Sequence, residues 1–295
     1  MAFVVKISSG LGNQMSQYAF GQLLQHLYPE ADVRYHIACE GKIHNGYELG
    51  RIFPDIQIQE ADAKELRAFG IIVGWRRLTK ICRLFKQRTY IRQVYETRYP
   101  VDERVWKLDI KQNYYFQGTW HNYDYSEILP KLRRMFKFDV SAPIEHSSST
   151  LSDHIESSSY SQKIESTNSV AIHIRRGDFV KMGYAICDDR YYKRAIEMIE
   201  SKVENPFYFI FSDDTEYAGS LFSGLANKEI VTGNTGEKSY LDMYLMSLCK
   251  HNIMANSTFS YWAALLNKNE DKIIIRPKMQ TPDREAWEAK GVIKI

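Results

Sequence analysis

Short apolar runs alternate with amphipathic stretches along the chain, in the order expected for strands and helices that follow one another. Residues 3–7 predict a buried strand, and apolar side chains then recur from Met15 at i+3, i+4 and i+8, which predicts a helix. This alternation is typical of α/β units. Further strands are predicted at residues 32–37, 114–117, 169–174, 206–211, 228–231, 252–255 and 272–275, and further helices at 124–138, 190–201, 239–249 and 259–266.

Residues 141–169 interrupt this pattern. Eleven of these 29 residues are serine, the hydrophobicity falls, and no strand pattern continues through them. We therefore place the inter-domain region here. The sequence predicts two Rossmann-like domains, residues 1–160 and 161–295, that face each other across a cleft. Because open α/β sheets bind ligands beyond the carboxyl ends of their strands, we expect ligand-binding residues in the segments that follow strands.

Composition excludes several classes of protein. The 295 residues are 44% hydrophobic and 25% charged, with a formal net charge of +3. These values exclude collagen-like, disordered and small disulfide-stapled proteins, and the charge is too balanced for a dedicated nucleic-acid binder. No apolar run approaches the roughly 18 residues of a spanning helix, and Lys6 interrupts the first run, so we expect a cytoplasmic protein. Reduced thiols are expected for the four cysteines, which lie far apart without metal-ligand spacing: Cys39, Cys82, Cys187 and Cys249.

The first segment with chemical potential is GLGNQ, which joins the first strand to the first helix. Glycines allow close backbone approach, and amides at a helix N-terminus suit an anionic ligand. A tight structural turn is an equal alternative, because Met15 stands where a dinucleotide-binding loop needs Gly or Ala. The candidate ligand-side residues are Gly10, Gly12, Asn13 and Gln14.

The second segment is HIRRGDF, which closes the predicted strand at residues 169–174. Alternation places His173 and Arg175 on one face of the strand and Arg176 on the other. Two adjacent arginines where a buried strand meets a loop favour an anionic partner, since a guanidinium matches phosphate oxygens in a bidentate manner. The alternative is that an arginine pairs with Asp178 within the turn.

The third segment spans residues 239–266 and joins two predicted helices through a short strand. Asp242 lies on the first of these helices, and Asn256, Ser257 and Thr258 precede the second. These three residue types are strong helix N-caps, so capping is one explanation. The other is that their amides and hydroxyls hold a phosphate or a sugar. Spacing alone does not choose between the two.

An ordered set of motifs carries a family resemblance. The segments LGNQM with YAFG, then YFQGTW, HIRRGD, FSDD and NSTFSYWAA occur in this order from one end of the chain to the other. The set resembles the α-1,2-fucosyltransferases of glycosyltransferase family eleven, and particularly their bacterial members. Residues 60–100 and the Ser-rich stretch match no family pattern. Ser16 stands where members often carry Phe, and Tyr261 stands where many carry Trp.

The resemblance implies a GT-B-like fold with an N-terminal acceptor-side domain and a C-terminal GDP-fucose-binding domain. It implies inverting transfer of L-fucose from GDP-β-L-fucose to the 2-hydroxyl of a terminal β-galactoside, in bacterial surface polysaccharide (O-antigen) synthesis. His173 and Asp242 are similar to guanine-side contacts of the family, and Ser257 and Thr258 are similar to phosphate-side contacts.

Arg175 is the expected catalytic residue, because a fixed cation stabilises the charge that develops on the departing pyrophosphate. The two Asp pairs, residues 188–189 and 213–214, lack the D-x-D spacing of a metal site, so no metal or other cofactor is expected. Asp178 is expected to orient Arg175 rather than to react.

Inversion also calls for a base near the acceptor hydroxyl, and the sequence assigns none. Glu40, Glu48, His121 and Asp124 are candidates in the acceptor-side half, and each has a surface or structural alternative. The acceptor itself is also open, because the penultimate sugar would be recognised by this variable half of the chain.

Residues 75–98 form a basic stretch that contains eight Lys or Arg and one Glu, with apolar residues at helical spacing. A basic amphipathic helix can lie on an anionic membrane surface, where a lipid-linked acceptor would be found, or it can be a solvated helix. Two other functions stay open: a dinucleotide-dependent oxidoreductase or epimerase that uses GLGNQ, and an RNA-binding protein that uses the basic stretch with Tyr90 and Tyr95. Neither explains the ordered motifs.

Overall fold

The computed structural model places the chain in two compact units, Met1–Lys137 and Phe138–Ile295. The residues that it describes are 2–39, 44–72, 79, 81–82, 90–92, 103–121, 123–138, 159–184, 187–278 and 292–295. The division between the units lies at residues 137–138, whereas the sequence placed the domain boundary after residue 160. The helix Ser159–Ser166 contacts the following strand and a later helix of the second unit, which explains why it groups with that unit.

The first unit contains a four-stranded parallel sheet. Its strands are β1 (Ala2–Ile7), β2 (Asp32–Ile37), β3 (Tyr90–Arg92) and β4 (Tyr114–Gln117). The strand order is β2-β1-β4-β3, and the central pair β1 and β4 aligns Phe3 with Tyr114. The helices are α1 (Leu11–Leu27), α2 (Leu49–Ile52), α3 (Ala63–Ala68) and α4 (Leu129–Met135), with short 3₁₀ helices at Glu103–Lys107 and Ser126–Ile128.

Helix α1 supplies the aromatic part of this unit's core. Its predicted apolar positions, including Met15 and Tyr18, are fully buried. Phe20 stacks on Trp120 with ring centroids 4.1 Å apart and an interplanar angle of 9°. Tyr35 of β2 is buried against the same helix, where its ring stacks on that of Tyr18 at 5.3 Å. Aromatic burial of this kind fixes the helix against the sheet.

The second unit contains a six-stranded parallel sheet. Its strands are β5 (Asn168–Ile174), β6 (Pro206–Ser212), β7 (Lys228–Ile230), β8 (His251–Ile253), β9 (Ile274–Arg276) and β10 (Val292–Lys294). The strand order is β10-β9-β8-β5-β6-β7, with β5 and β8 at the centre. Strand β5 is buried along almost its whole length, as expected for a parallel strand covered on both faces.

The helices of the second unit follow these strands. These helices are α5 (Ser159–Ser166), α6 (Gly177–Met182), α7 (Asp189–Glu200), α8 (Thr215–Leu221), α9 (Tyr240–Leu248) and α10 (Thr258–Leu266), with a 3₁₀ turn at Gly236–Lys238. Helix α10 is buried along most of its length and carries Trp262, which has no exposed surface. The α/β class predicted from the sequence is therefore confirmed.

The helix predicted within the basic stretch at residues 75–98 is shorter than the stretch itself. Within it, β3 pairs in parallel with β4, and Ile91 is 1% exposed. A strand that joins a sheet cannot continue a helix, so the predicted helix does not reach residue 90. Residues 79 and 81–82 are helical, and the rest of the stretch lies outside the described residues. In the described part of the chain, no helix has the length and apolar character needed to cross a membrane.

The packing of α1 against β2 generates a stability prediction. A Cβ at Gly21 would lie 2.7 Å from two ring atoms of the buried Tyr35 side chain. We expect Gly21→Ala to lower the free energy of unfolding by about 1–3 kcal/mol, because overpacking forces the ring or the helix to move. Urea unfolding curves measure this change.

Gly219→Ala on α8 is the matched control, since its Cβ would meet only Ile230 Cδ1, at 3.6 Å. Alanine favours the helix there by up to about 1 kcal/mol, so this variant should be neutral or more stable. A loss of equal size in both variants would contradict the packing argument.

Candidate functional site

His173 lies at the carboxyl end of β5, where its side chain is buried. Its carbonyl accepts a hydrogen bond from Tyr192 Oη at 3.0 Å, and its ring centroid lies 5.8 Å from that of Phe259. Within the described residues, its Nδ1 atom has no hydrogen-bond partner. Burial, together with the nearby charge of Arg175, lowers the pKa of His173 to about 3. The site therefore holds a neutral imidazole whose buried Nδ1 atom has no partner within the described residues.

Arg175 follows directly after β5 and lies between two carboxylates. Its Nη2 atom is 2.7 Å from Asp178 Oδ1, and its Nη1 atom is 2.8 Å from Asp213 Oδ2. The first pair is a close ion pair without hydrogen-bond alignment. The guanidinium side chain is 28% exposed. Since a guanidinium carries five N–H groups, two carboxylates can orient it and leave donors for a further anion.

Asp213 also holds the backbone of the turn. Its Oδ1 atom accepts hydrogen bonds from the N–H groups of Arg176 at 2.8 Å and of Gly177 at 3.2 Å. A Cβ at Gly177 would lie 2.8 Å from Asp213 Oδ2, so a side chain at that position would displace the carboxylate. One carboxylate thereby fixes the guanidinium of Arg175 and the start of helix α6 together.

Arg176 has a different environment. Its Nε atom lies 3.2 Å from Asp214 Oδ2, and its guanidinium lies 3.7 Å from the centre of the Tyr217 ring. Asp214 also caps helix α8 by accepting the Tyr217 N–H at 3.0 Å, and the Tyr217 hydroxyl donates to Asp189. Arg176 is therefore part of the packing between the turn and α8, whereas Arg175 is the arginine flanked by Asp178.

Asp242 lies in the first turn of α9 and is partly buried. Its Oδ1 atom accepts a hydrogen bond from Asn234 Nδ2 at 2.7 Å. Burial raises the pKa of Asp242 from 3.8 to about 7, and the Asn234 hydrogen bond opposes part of this rise. The carboxyl group therefore changes its charge close to neutral pH.

The start of α10 lies beside the end of β5, because Phe259 packs against the His173 ring. Ser257 is the N-cap of α10, and its Oγ accepts a hydrogen bond from the Phe259 N–H at 3.2 Å. Capping, the structural explanation given for this residue, is therefore what its side chain does. Asn256 precedes the cap and Thr258 opens the helix, which brings all three residues to the His173 end of the sheet.

Gln14 of the GLGNQ loop is fully buried and is used within the fold. Its Nε2 atom donates to the carbonyls of Ser9 at 2.8 Å and Gly46 at 2.7 Å. Its Oε1 atom accepts the Glu48 N–H at 2.9 Å. These three bonds tie the start of α1 to a neighbouring loop, which is the structural alternative for this residue.

The rest of this loop begins helix α1 in the first unit. The Gly10 carbonyl accepts the N–H groups of Asn13 and Gln14 at 3.0 and 3.1 Å, and Gly12 is buried. The Asn13 side chain donates to Ser9 Oγ at 3.0 Å. Hydrogen bonds and helix packing account for the geometry of the loop without a ligand.

The candidate bases differ in their surroundings. Glu48 is 2% exposed, with its Oε1 atom 3.4 Å from Arg51 Nη2. Burial lowers the pKa of His121 to about 4, and Asp124 accepts the backbone N–H of Ser126 at 2.9 Å. Glu40 lies outside the described residues. None of these environments identifies a base.

Among the residues that the structure describes, no three His, Cys, Asp or Glu side chains are grouped so that they could hold a metal ion. Cys39, Cys82, Cys187 and Cys249 are free thiols.

The sequence assigns no role to two carboxylates of the site, Asp213 and Asp214, which belong to the FSDD motif of the family resemblance and lack the D-x-D spacing of a metal site. They follow β6 directly, and β6 pairs with β5 so that His173 is aligned with Phe211. Carboxyl ends of adjacent parallel strands meet at one edge of the sheet. Two acids after one strand and two arginines after its neighbour are the signal that points to this pairing.

The raised pKa of the partly buried Asp242 carboxyl makes the stability of the folded protein depend on pH. Because its folded pKa is raised, the folded protein keeps a proton that the unfolded chain has released, so stability falls as pH rises from about 4 to 7. Asp242→Asn removes this titration and keeps an oxygen for Asn234. We expect the variant to melt above the parent protein at pH 8, and this advantage to shrink at pH 5. Equal differences at both pH values in thermal melts would contradict the argument.

Two curated proteins match the chain over most of its length. The chain is 30% identical over 295 aligned residues to the O-antigen biosynthesis glycosyltransferase WbnK of Escherichia coli, and 92% of each chain is covered. It is also 30% identical to an α-1,2-colitosyltransferase of Escherichia coli, over 93% of this chain and 90% of that protein.

Among solved structures, the selenomethionine form of the fucosyltransferase NodZ from Bradyrhizobium matches with a TM-score of 0.56 at 13% identity, and 96% of each chain is covered. This likeness confirms the expected GT-B-like fold. The family model described as glycosyl transferase family 11 matches residues 80–294, and the chain therefore belongs to glycosyltransferase family 11.

Proposed function

We propose that this glycosyltransferase transfers L-fucose from GDP-β-L-fucose to the 2-hydroxyl of a terminal β-galactoside, with inversion, during synthesis of bacterial surface polysaccharide. The observation that carries the proposal is the guanidinium of Arg175, held between Asp178 and Asp213 at the carboxyl end of β5. Membership of family 11 favours glycosyl transfer over the dinucleotide-dependent and RNA-binding alternatives.

Arg175 acts on the leaving group in this proposal. The acceptor oxygen forms a bond to C1 of fucose while the bond from C1 to the phosphate oxygen breaks, and its electron pair leaves with GDP. Negative charge therefore builds on the pyrophosphate, and a cation that is already oriented stabilises it without reorganisation. Asp178 and Asp213 supply that orientation, so no metal is needed for this task.

The guanine-side and phosphate-side roles rest on chemistry that fits the residues present. Guanine presents N–H donors on its Watson–Crick edge, and Asp242 offers carboxylate oxygens in a partly buried setting. The Nδ1 atom of His173, which is buried without a hydrogen-bond partner in the described residues, is a second polar group that a ligand can satisfy. Thr258, at the start of α10, is proposed on the phosphate side with Ser257.

Recognition of the acceptor is proposed to lie mainly in the first unit, and the proton of its hydroxyl passes to a base that we do not assign. A peripheral contact of residues 75–98 with anionic lipid, a lipid-linked acceptor and a cytoplasmic location are further parts of the proposal. The basic stretch lies mostly outside the described residues, so its membrane contact stays a prediction.

Colitose is the second candidate for the transferred sugar, because one relative that matches over most of its length is an α-1,2-colitosyltransferase. Colitose is fucose without the 3-hydroxyl. A site that hydrogen-bonds this hydroxyl rejects the deoxy sugar strongly, whereas a site built for the deoxy sugar rejects an added hydroxyl only about 100-fold. The ratio of the two activities therefore reports which donor the site is built for.

We expect the purified protein to release GDP from GDP-fucose in the presence of one member of a β-galactoside panel, and to keep this activity in excess EDTA. kcat/KM for GDP-fucose should exceed that for GDP-colitose. A preference for GDP-colitose would replace fucose with colitose in the proposal. Loss of nearly all turnover in EDTA, restored by Mg²⁺ or Mn²⁺, would overturn the metal-independent mechanism.

We expect Arg175→Ala to lower kcat by about 10²–10³, the usual effect of removing a group that stabilises developing charge. Arg175→Lys should recover only part of the rate, because an ammonium lacks the forked geometry. Arg194→Ala, an exposed arginine on α7, is the matched control and should keep kcat. GDP release and thermal melts are measured for each variant. Near-native kcat in Arg175→Ala, or loss of activity through unfolding alone, would make Arg175 a structural residue.

A further inference from the structure

Helix α6 and the turn after it expose apolar side chains that the fold does not use. None of the residues of α6 is buried. Val180, Met182 and Tyr184 are 50%, 56% and 57% exposed, and they make up half of the six large apolar side chains exposed in the described residues. Such a cluster within five positions marks a contact surface, since scattered single apolar residues are the ordinary case.

The backbone holds Tyr184 in a defined place. The Tyr184 N–H donates to the Phe179 carbonyl at 2.9 Å, and the Gly183 N–H donates to the Val180 carbonyl at 3.2 Å. Gly183 has a φ of 68°, so the helix ends in a Schellman motif. The motif packs the Tyr184 ring edge-on against Phe179, with centroids 5.4 Å apart, and more than half of the tyrosine stays open to solvent.

This aromatic pair is continuous with the arginine of the site. The centre of the Phe179 ring lies 5.6 Å from the Arg175 guanidinium carbon. Arg175, Phe179 and Tyr184 therefore form a row in which each member contacts the next. The row begins at the cation proposed for the leaving group and ends at an exposed aromatic face.

We propose that Tyr184 binds a sugar ring of the acceptor by stacking, an inference that rests on the proposed function. The acceptor hydroxyl must come within about 3–3.5 Å of the carbon that is attacked, and that carbon is bonded to the phosphate proposed beside Arg175. The acceptor sugars therefore lie close to the Arg175 end of the row, two side-chain contacts from Tyr184. One face of a β-galactoside ring carries only C–H groups, and these complement the negative face of an aromatic ring.

The experiment compares Tyr184→Ala, Tyr184→Leu and Tyr184→Phe with the parent chain, using the free β-galactoside that the parent turns over best. We expect the Ala and Leu variants to raise KM for the acceptor about tenfold, because both remove the ring. Tyr184→Phe keeps the ring and should stay within about twofold. KM for the donor, and the melting temperature, should not change in any of the three variants.

An unchanged acceptor KM in Tyr184→Ala would overturn the inference and leave the proposed function intact. A parent chain that turns over no β-galactoside with either sugar nucleotide would overturn both. A lipid surface is the competing occupant. If Tyr184→Ala reduced co-sedimentation with phosphatidylglycerol vesicles, while Tyr184→Leu restored it and the acceptor KM stayed constant, the patch would be a membrane contact and the stacking role would be wrong.

Discussion

The site depends on the carboxylate of Asp213 at the end of β6. One of its oxygens accepts hydrogen bonds from two backbone N–H groups of the turn after β5, and the other forms an ion pair with the guanidinium of Arg175. A carboxylate that accepts two hydrogen bonds on one oxygen and is ion-paired through the other has little freedom to move, so the backbone and the charged group are oriented together. The absence of a side chain at Gly177 is what lets the carboxylate approach. The cation is therefore positioned by the folded protein before any ligand arrives.

The two neighbouring arginines show how partners decide the role of a charge. Arg176 is covered by the Tyr217 ring and paired with Asp214, which itself caps a helix. Arg175 is flanked by carboxylates on two sides, and its side chain is about as exposed as that of Arg176, 28% against 24%. Removing Arg176 would disturb the packing of α8, while Arg175 makes its contacts within the turn and the strand ends. The same residue type, one position apart, thus packs on a helix in one case and is held between two carboxylates in the other.

Much of the fold was predictable because its elements have strong local patterns. The bounds of β2 and β4 agree with the sequence prediction, and α7 differs by one residue at each end. Strand β3 was missed, since three residues carry too little pattern and the basic stretch around them has helical spacing. Its partner is β4, which no local pattern reveals. Non-local pairing of this kind is the part that sequence periodicity leaves out.

The candidate site likewise has a part that local sequence patterns indicate and a part that depends on non-local contacts. The sequence singles out the segment of His173 and Arg175 because it ends a strong strand, and the family resemblance supplies the predicted role of His173. The contact of Asp213 with Arg175 depends on which strands are neighbours. Gln14 stayed undecided, since its partners, such as Gly46 and Glu48, lie far along the chain.

The buried tryptophans give each unit its own spectroscopic reporter. Trp120 is enclosed in the first unit beside Phe20, and Trp262 is enclosed in the second unit on α10. The fluorescence of a buried indole changes when water reaches it. Replacing Trp75, Trp106 and Trp287 with phenylalanine, together with one of the two buried tryptophans, would leave the other as a marker of its own unit. The order in which the units unfold thus becomes measurable in the intact chain, without separating them.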